Sequence, residues 1–267
     1  MNKKIIVSVG LGLLLVGMLV GCKNDSKKDS KTTYDTIMDK KEMSYTMSGQ
    51  YPPFNFIGED GEVAGFDIDI ASALAEKMGV KAVPITTEWE GIVASLIAKR
   101  SDLIIGSMGI TPERQKKVNF TDPYYHGGAQ FFAAKGTSLK SIEDLKDGKV
   151  GVVTGTTFQP FLEKMDNVGE IVQFQSDVDN FKSVKQGRAD GLVTDYFVGL
   201  AAPEKYGVDI EPVGPLLYVE DNAIAIRKED TKLLEVVNQA LKDIIADGTY
   251  EEISMKWFGV NLQDVNK

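Results

Sequence analysis

One arginine of the chain stands where a carboxylate or a phosphate could be bound. Arg114 follows Thr111 and Pro112, and these residues come soon after the apolar run 103–105, which is typical of a buried strand. Threonine is a favourable N-cap and proline suits the first helical position, so Arg114 is predicted in the first turn of a helix. Free backbone N–H groups and the positive end of the helix dipole lie in the same place. The spacing predicts an anion site, and it equally allows Arg114 to form a surface ion pair.

Two strand ends of the sequence repeat one pattern. In both copies the end of a helix is followed by a basic residue, an aspartate and a strand; the copies are residues 96–104 and 183–192. Ser107 lies five residues after Asp102, and Asp195 lies five residues after Asp190. Ligands of open α/β sheets bind at the carboxyl ends of the strands. We therefore expect Ser107 and Asp195 at a cleft between two βαβ units.

Apolar spacing along the chain predicts alternating strands and helices. Strands are predicted at residues 44–47, 82–86, 103–107, 130–134, 150–153, 171–174, 192–194 and 223–226. Helices are predicted at residues 65–78, 92–97, 157–165, 177–186, from about 196, 233–245 and 248–257. This alternation predicts an α/β fold with parallel sheets.

The composition is that of a folded, acidic protein. The chain has 267 residues, 43% of them hydrophobic, which is enough for the core of one large domain or two medium ones. The formal charge is −9 at pH 7. Such a negative charge disfavours nucleic acid as a partner.

The N-terminus has the features of a bacterial export signal. Two lysines precede the apolar run 5–20, which is a little shorter than the roughly 20 residues of a membrane-spanning helix. The sequence LVGC at 19–22 looks like a lipobox, which predicts cleavage before Cys22 and acylation of its thiol. Cys22 is the only cysteine, so it forms no internal disulfide. A cysteine that merely ends a retained signal anchor is the alternative.

Four motifs of the sequence occur together in one known family. The chain resembles the extracytoplasmic amino-acid-binding proteins of ABC importers, the family 3 solute-binding proteins with the type II periplasmic-binding fold. The motifs follow the order that the family has. They are the lipobox, GFDIDIA at 65–71, GITPER at 109–114 with FTDPY at 120–124, and GTY at 248–250 with KWFG at 256–259.

The resemblance implies an α/β fold of two lobes, each a βα-type sheet flanked by helices, with a two-strand hinge between them. The polar composition after Cys22 is typical of a flexible tether. The implied divisions are a signal peptide at 1–21, the acylated cysteine and tether at 22–42, lobe 1 at 43–127 plus 223–267, and lobe 2 at 128–222.

The resemblance also implies a binding role without catalysis. The expected protein is a monomer that captures a free L-amino acid between its lobes, closes on it and delivers it to a membrane permease. It would be lipid-anchored on the outer face of the bacterial cytoplasmic membrane. The family needs no cofactor and no metal for this role.

Four residues match the family positions that hold the charged groups of an amino acid. Arg114 and Thr157 match residues that bind the ligand carboxylate from opposite lobes. Asp195 matches the acid that binds the ammonium group, and Ser107 matches a residue that offers it a carbonyl or a hydroxyl. From the sequence alone, Thr157 could equally begin an ordinary helix after a glycine-containing turn, and Asp195 could cap the next helix.

Four further positions bear on the ligand's side chain. Tyr51 and Trp89 match two aromatic residues that sandwich it. Gly109 lacks the hydroxyl that several relatives have there, so only its backbone N–H is expected to contact the ligand. Ser48 stands where relatives that bind glutamine or cationic amino acids carry an acid, which argues against lysine or ornithine. Arginine is less strongly excluded because the two aromatic rings could hold a guanidinium. We therefore expect a neutral amino acid.

Two other classes of function are compatible with the same motifs. Cyclohexadienyl dehydratases, which act on prephenate or arogenate, resemble this fold and use the same cleft, and they would need a proton donor there. The sensor module of a receptor or channel is the other class, and the tether favours a separate lipoprotein instead. His126, the only histidine, is predicted in a solvated loop.

Overall fold

The computed structural model describes residues 31–265, which contain thirteen strands and nine α-helices. The strands are β1 Glu42–Met47, β2 Gln50–Tyr51, β3 Asn55–Ile57, β4 Val63–Ala64, β5 Lys81–Thr86, β6 Leu103–Gly109, β7 Val118–Phe120, β8 Tyr125–Ala134, β9 Gly148–Val153, β10 Val168–Phe174, β11 Gly191–Asp195, β12 Ile210–Pro212 and β13 Tyr218–Arg227. The helices are α1 Thr33–Lys40, α2 Phe66–Lys77, α3 Ile92–Ile97, α4 Pro112–Gln115, α5 Phe158–Leu162, α6 Asp177–Lys185, α7 Tyr196–Tyr206, α8 Thr231–Ala246 and α9 Thr249–Phe258. Two short 3-10 helices lie at Trp89–Gly91 and Ile142–Asp144.

The main sheet has the strand order β10-β9-β11-β8-β13-β6-β1-β5. Strands β5, β1 and β6 are parallel to one another, and so are β10, β9 and β11. We call the part of the molecule built on β5, β1 and β6 lobe 1, and the part built on β10, β9 and β11 lobe 2. The parallel βαβ arrangement predicted for both parts is confirmed.

Strands β8 and β13 connect the two lobes. They pair with each other in antiparallel register, from Tyr218 opposite Ala129 to Asn222 opposite Tyr125. Beyond this pairing, β8 continues beside β11 of lobe 2 and β13 continues beside β6 of lobe 1. The two-strand hinge that the resemblance implied is therefore present.

Both hinge strands begin five residues earlier than their sequence pattern predicts. The extra residues pair with each other across the hinge, so their backbone groups are bonded even where the apolar pattern is weak. Helix α5 is shorter than predicted because its end changes to i→i+3 hydrogen bonds. Lys164 N–H donates to the Phe161 carbonyl at 3.2 Å, and Met165 N–H donates to the Leu162 carbonyl at 3.0 Å.

Regular structure is present before the predicted start of lobe 1 at Met43. Within the described part of the expected tether 22–42, residues Thr33–Lys40 form helix α1, which corrects the prediction of a flexible segment for those residues. Thr32 and Asp35 form a reciprocal capping box, and Ile37 is buried against the core. The predicted signal peptide and Cys22 lie outside the described residues. Between residues 31 and 265, no helix has the length and apolar character needed to cross a membrane.

A buried arginine at the end of β13 ties the N-terminal helix to lobe 1. Arg227 is 3% exposed, and its Nε donates to Asp230 at 2.7 Å. Its Nη1 donates to the carbonyls of Ser101 at 2.6 Å and Leu96 at 3.1 Å. Its Nη2 donates to the Thr33 hydroxyl at 3.2 Å. Arg227 therefore satisfies groups from four segments of the chain.

We expect the substitution Arg227→Ala to lower the free energy of unfolding by about 3–5 kcal/mol, because it leaves Asp230 as an unpaired buried carboxylate. Urea unfolding followed by circular dichroism measures this difference. The matched control is Lys232→Ala, which removes an exposed ion pair with Glu235 and should cost less than about 1 kcal/mol. Equal effects of the two substitutions would contradict the prediction.

Candidate functional site

A cleft between the two lobes contains seven of the eight predicted ligand residues. Further lining residues come from both lobes and from the hinge strand β13. The predicted residues in the cleft lining are Ser48, Tyr51, Trp89, Ser107, Gly109, Arg114 and Thr157.

Arg114 reaches across the cleft from lobe 1. Thr111 caps α4 by accepting the Arg114 N–H at 3.1 Å, as the sequence predicts. In the side chain, Nη1 donates to the Gly109 carbonyl at 2.7 Å and Nη2 donates to the Gly155 carbonyl of lobe 2 at 3.1 Å. A guanidinium has five N–H donors, so three remain available to a ligand. Burial lowers the pKa of Arg114, and nearby Glu220 acts against this shift.

Trp89 also spans the two lobes. Its indole Nε1 donates to the same Gly155 carbonyl at 3.3 Å. The Arg114 Cζ lies 5.4 Å from the centre of the indole ring, within the range of a cation–π contact. Gly155 has a φ of +76°, which glycine adopts without strain. One carbonyl of lobe 2 therefore accepts hydrogen bonds from two predicted ligand residues of lobe 1.

Tyr51 faces the acidic side of the cleft. Its ring stacks on Phe54 with the ring centres 5.7 Å apart. Burial raises the pKa of the Tyr51 hydroxyl well above its usual value, and Asp195, Asp177 and Glu220 add to this effect. The aromatic face and the hydroxyl of Tyr51 are thus placed among groups of both lobes.

Ser107 is held in an unusual backbone conformation. Its φ is +57°, which is uncommon for a residue other than glycine. The Ser107 N–H donates to the Tyr124 hydroxyl at 2.9 Å, and the Ser107 hydroxyl donates to Asp67 at 3.0 Å. Asp67 also accepts from the Tyr124 hydroxyl at 2.6 Å. These bonds hold the backbone and the hydroxyl group of Ser107 in place. The groups that Ser107 presents to the cleft therefore have a defined orientation.

The same network reaches Ser48 at another part of the cleft. Asn55 Nδ2 donates to Asp67 at 2.7 Å, and the Ser48 hydroxyl donates to Asn55 Oδ1 at 3.1 Å. Asp67 is fully buried, and burial raises its pKa to about 6 although three donors bind it. Sequence analysis missed Asn55 and Asp67, although Asp67 belongs to the GFDIDIA motif.

Asp195 is close to the cleft but is absent from its lining. It caps α7, because Oδ1 accepts the Phe197 N–H at 2.8 Å, and Oδ2 accepts the Gly128 N–H at 3.3 Å. Asp195 is 2% exposed. Burial raises its pKa to about 7, and the two N–H groups act against this shift. The capping role that the sequence allowed is present, and the predicted contact with an ammonium group stays a prediction.

Two acids of the cleft lining were missed by sequence analysis. Asp177 is the first residue of α6, the helix that follows β10. Its carboxyl group accepts a hydrogen bond from the Thr194 hydroxyl at 2.8 Å, and burial raises its pKa to about 7. Its place at the carboxyl end of a predicted strand could have identified it. Glu220 lies on the part of β13 that was not predicted as a strand, so no sequence signal placed it. His126, predicted in a loop, is instead in β8, where Nδ1 lies 2.7 Å from Asp221.

The cleft combines one guanidinium with several carboxyl groups and three aromatic side chains, those of Tyr51, Trp89 and Phe158. Arg114 is the only basic residue of the described lining, whereas Glu88, Asp177 and Glu220 are acids. Such a set can bind a molecule that carries both a carboxylate and an ammonium group. Within residues 31–265, no three side chains of His, Cys, Asp or Glu are grouped so that they could hold a metal ion.

Two curated proteins are similar to the chain over most of its length. The L-cystine-binding protein TcyJ of Escherichia coli K12 is 31% identical over 254 residues, which cover 94% of this chain and 95% of that protein. The ABC transporter arginine-binding protein 1 of the same strain is 37% identical over 222 residues, which cover 82% of this chain and 91% of that protein.

A solved structure and a family model agree with these relatives. The ancestral amino-acid-binding protein AncCDT-1, a precursor of cyclohexadienyl dehydratase, is 39% identical with a TM-score of 0.78, over 85% of this chain and all of that one. The family model of the bacterial extracellular solute-binding proteins, family 3, matches residues 43–260. The fold is the two-lobed type II periplasmic-binding fold, as the sequence motifs predicted. The chain belongs to the bacterial extracellular solute-binding proteins, family 3.

Proposed function

We propose that the chain is the substrate-binding lipoprotein of an ABC importer, and that it captures a free L-amino acid with a neutral side chain. The observation that carries the proposal is the position of Arg114, a half-buried guanidinium bonded to carbonyls of both lobes. The ligand carboxylate would bind Arg114 and Thr157, and its ammonium group would bind Asp195 and Ser107. The ligand side chain would lie between Tyr51 and Trp89.

The energy of these contacts is sufficient for useful affinity. A hydrogen bond to a charged group contributes about 1.5–3 kcal/mol, and a micromolar complex requires about 8 kcal/mol. A few such bonds and the packing of two aromatic rings meet this requirement after the costs of binding. Because Arg114 and Thr157 belong to different lobes, the complete set of contacts exists only in the closed form. Ligand binding therefore favours closure.

The charges of the cleft support a neutral side chain over an acidic one. A second carboxylate would enter a lining in which Arg114 is the only described cation and three residues are acids. The Ser48 hydroxyl is hydrogen-bonded to Asn55 and is uncharged, so Ser48 supplies no negative charge to pair with a cationic side chain. Asp177 and Glu220 add negative charge to the cleft lining, which makes arginine the competing ligand to test. The relatives named above bind L-cystine in one case and arginine in the other.

Membrane attachment and delivery complete the proposal. The lipobox at 19–22 would anchor the protein through Cys22 on the outer face of the cytoplasmic membrane. The closed, monomeric form would then be recognised by the membrane permease of the importer. Radiolabelled palmitate, which the cell incorporates at Cys22, should label the wild-type protein in a bacterial host and should not label a Cys22→Ala variant.

A thermal-shift screen tests the ligand class directly. The set is the twenty standard L-amino acids with L-cystine, prephenate and arogenate. We expect the melting temperature to rise with one or a few neutral amino acids and not with aspartate or glutamate, because bound ligand stabilises the folded state. A rise with acidic amino acids alone would overturn the proposed charge class.

A dehydratase is the second candidate, and one observation favours it. Burial raises the pKa of Glu220, so this cleft acid can hold a proton and supply it to a leaving hydroxyl group. The solved neighbour AncCDT-1 is an amino-acid-binding protein that preceded such an enzyme. Incubation with prephenate or arogenate distinguishes the candidates, since turnover would show an enzyme and its absence would leave the binding role.

Arg114→Ala should weaken amino-acid binding by at least about a hundredfold, because it removes a charge-assisted pair for the ligand carboxylate. Isothermal titration calorimetry with the ligand found in the screen measures the loss. Arg100→Ala, which removes an exposed arginine of lobe 1, is the matched control and should bind as the wild type does. Affinity of Arg114→Ala close to that of the control would refute the carboxylate clamp.

Trp89 should report ligand binding through its fluorescence, because its indole borders the cleft and touches both lobes. Trp257 is remote from the cleft lining, and its Nε1 donates to Asp69 at 2.7 Å. We expect Trp89→Phe to abolish the ligand-induced change and Trp257→Phe to retain it. A full signal in the Trp89→Phe variant would remove Trp89 from the proposed site.

A further inference from the structure

Glu220 projects from the hinge into the carboxylate end of the cleft. It lies in β13 opposite Gly127 of β8, and it lines the cleft together with Arg114 and Thr157. A Cβ atom added to Gly109 would be 2.5 Å from Glu220 Oε2. The glycine at this position therefore makes room for the carboxyl group of Glu220. An acidic side chain thus occupies the space beside Gly109.

The residues around Glu220 are those assigned to the ligand carboxylate. The charge of Arg114 and a hydrogen bond from Thr157 lower the pKa of Glu220, but burial outweighs them and raises it overall. Other titratable groups face it from neighbouring elements: Tyr51 of β2, Asp195 at the end of β11, and Tyr218 of its own strand. Arg114 is the one cation among these described neighbours.

Glu220 also borders a second, more open groove. This groove lies between α5 and the hinge, and Glu220 and Thr157 line it as well as the cleft. Its other charged residues are Lys164 and Asp221, and Asp221 Oδ1 lies 2.7 Å from His126 Nδ1. The side chains of Glu220 and Thr157 therefore form the wall between the two cavities.

We propose that Glu220 competes with the ligand carboxylate for Arg114, so that binding an amino acid requires Glu220 to take up a proton. The inference rests on the proposed function, in which the ligand carboxylate enters between Arg114 and Thr157. Two carboxylates beside a single guanidinium repel each other, and such a pair retains one proton. The proton comes from solvent and stays on the Glu220 carboxyl group, with no covalent bond to the ligand.

Ligand binding at Asp195 has the opposite effect on proton exchange. An ammonium group beside Asp195 favours its charged form, so ligand binding there releases a proton. The net proton exchange of the wild-type protein is the sum of both effects. A variant that removes only the Glu220 charge separates them.

The decisive experiment is calorimetry of wild type and Glu220→Gln with L-glutamine, L-cystine and L-arginine as probes. Titrations at pH 7 in buffers of different ionisation enthalpy give the number of protons exchanged with each probe that binds. We expect Glu220→Gln to take up fewer protons than wild type, by up to about one. We also expect it to bind about tenfold more tightly at pH 8, and this advantage should shrink as the pH is lowered and wild-type Glu220 takes up a proton.

Two controls make the outcome interpretable. Glu113→Gln removes an exposed acid of lobe 1 that is outside the cleft lining and should keep the wild-type proton count. Gly109→Ala should displace the Glu220 carboxyl group and so reproduce the tighter binding at pH 8, but should have no such effect in combination with Glu220→Ala. An unchanged proton count in Glu220→Gln, or weaker binding at every pH, would overturn this inference alone. Failure of these three probes and of every amino acid in the thermal-shift screen to bind would overturn the proposed function and this inference with it.

Discussion

The hydrogen bonds of one guanidinium join the two halves of this molecule. Arg114 belongs to lobe 1 and donates to a carbonyl of each lobe. A partly buried cation requires such acceptors, because transfer out of water without partners is costly. The Gly155 carbonyl is an acceptor for Trp89 too, so the predicted carboxylate site and an aromatic side chain lie side by side. Hydrogen bonds between the lobes therefore involve two of the predicted ligand residues.

The two lobes share one hydrogen-bonding feature, which the repeated sequence pattern at 96–104 and 183–192 indicated. Asp102 Oδ2 accepts the Ser44 N–H at 2.8 Å, which fixes β6 against β1. Asp190 Oδ2 accepts the Lys149 N–H at 2.8 Å, which fixes β11 against β9. In both lobes the aspartate sets the register at the start of a strand. The residue five positions after each aspartate then lies close to the cleft. This residue is Ser107 in lobe 1 and Asp195 in lobe 2.

Local patterns were sufficient to predict the elements that carry the site but not the acids that surround it. The cap at Thr111 and the helix after Asp195 depend on residues adjacent in the chain, so they could be read from the sequence. Glu220 reaches the cleft because β13 pairs with β8, a contact between residues about ninety positions apart. The positive φ of Ser107 likewise depends on Tyr124 and Asp67, which belong to distant segments. Helix α1 was missed because its composition is polar and only one of its side chains, that of Ile37, is fully buried.

The cap of α7 and the predicted ammonium site make different demands on Asp195. Its Oδ1 accepts the Phe197 N–H, its Oδ2 accepts the Gly128 N–H, and the Val198 N–H acts on the same carboxyl group. An ammonium group of the ligand would have to bind Asp195 in addition to these donors. Burial alone disfavours the charged carboxylate, which is reflected in its raised pKa. If the ligand ammonium group binds beside Asp195 as predicted, its charge would offset this cost and favour the carboxylate form.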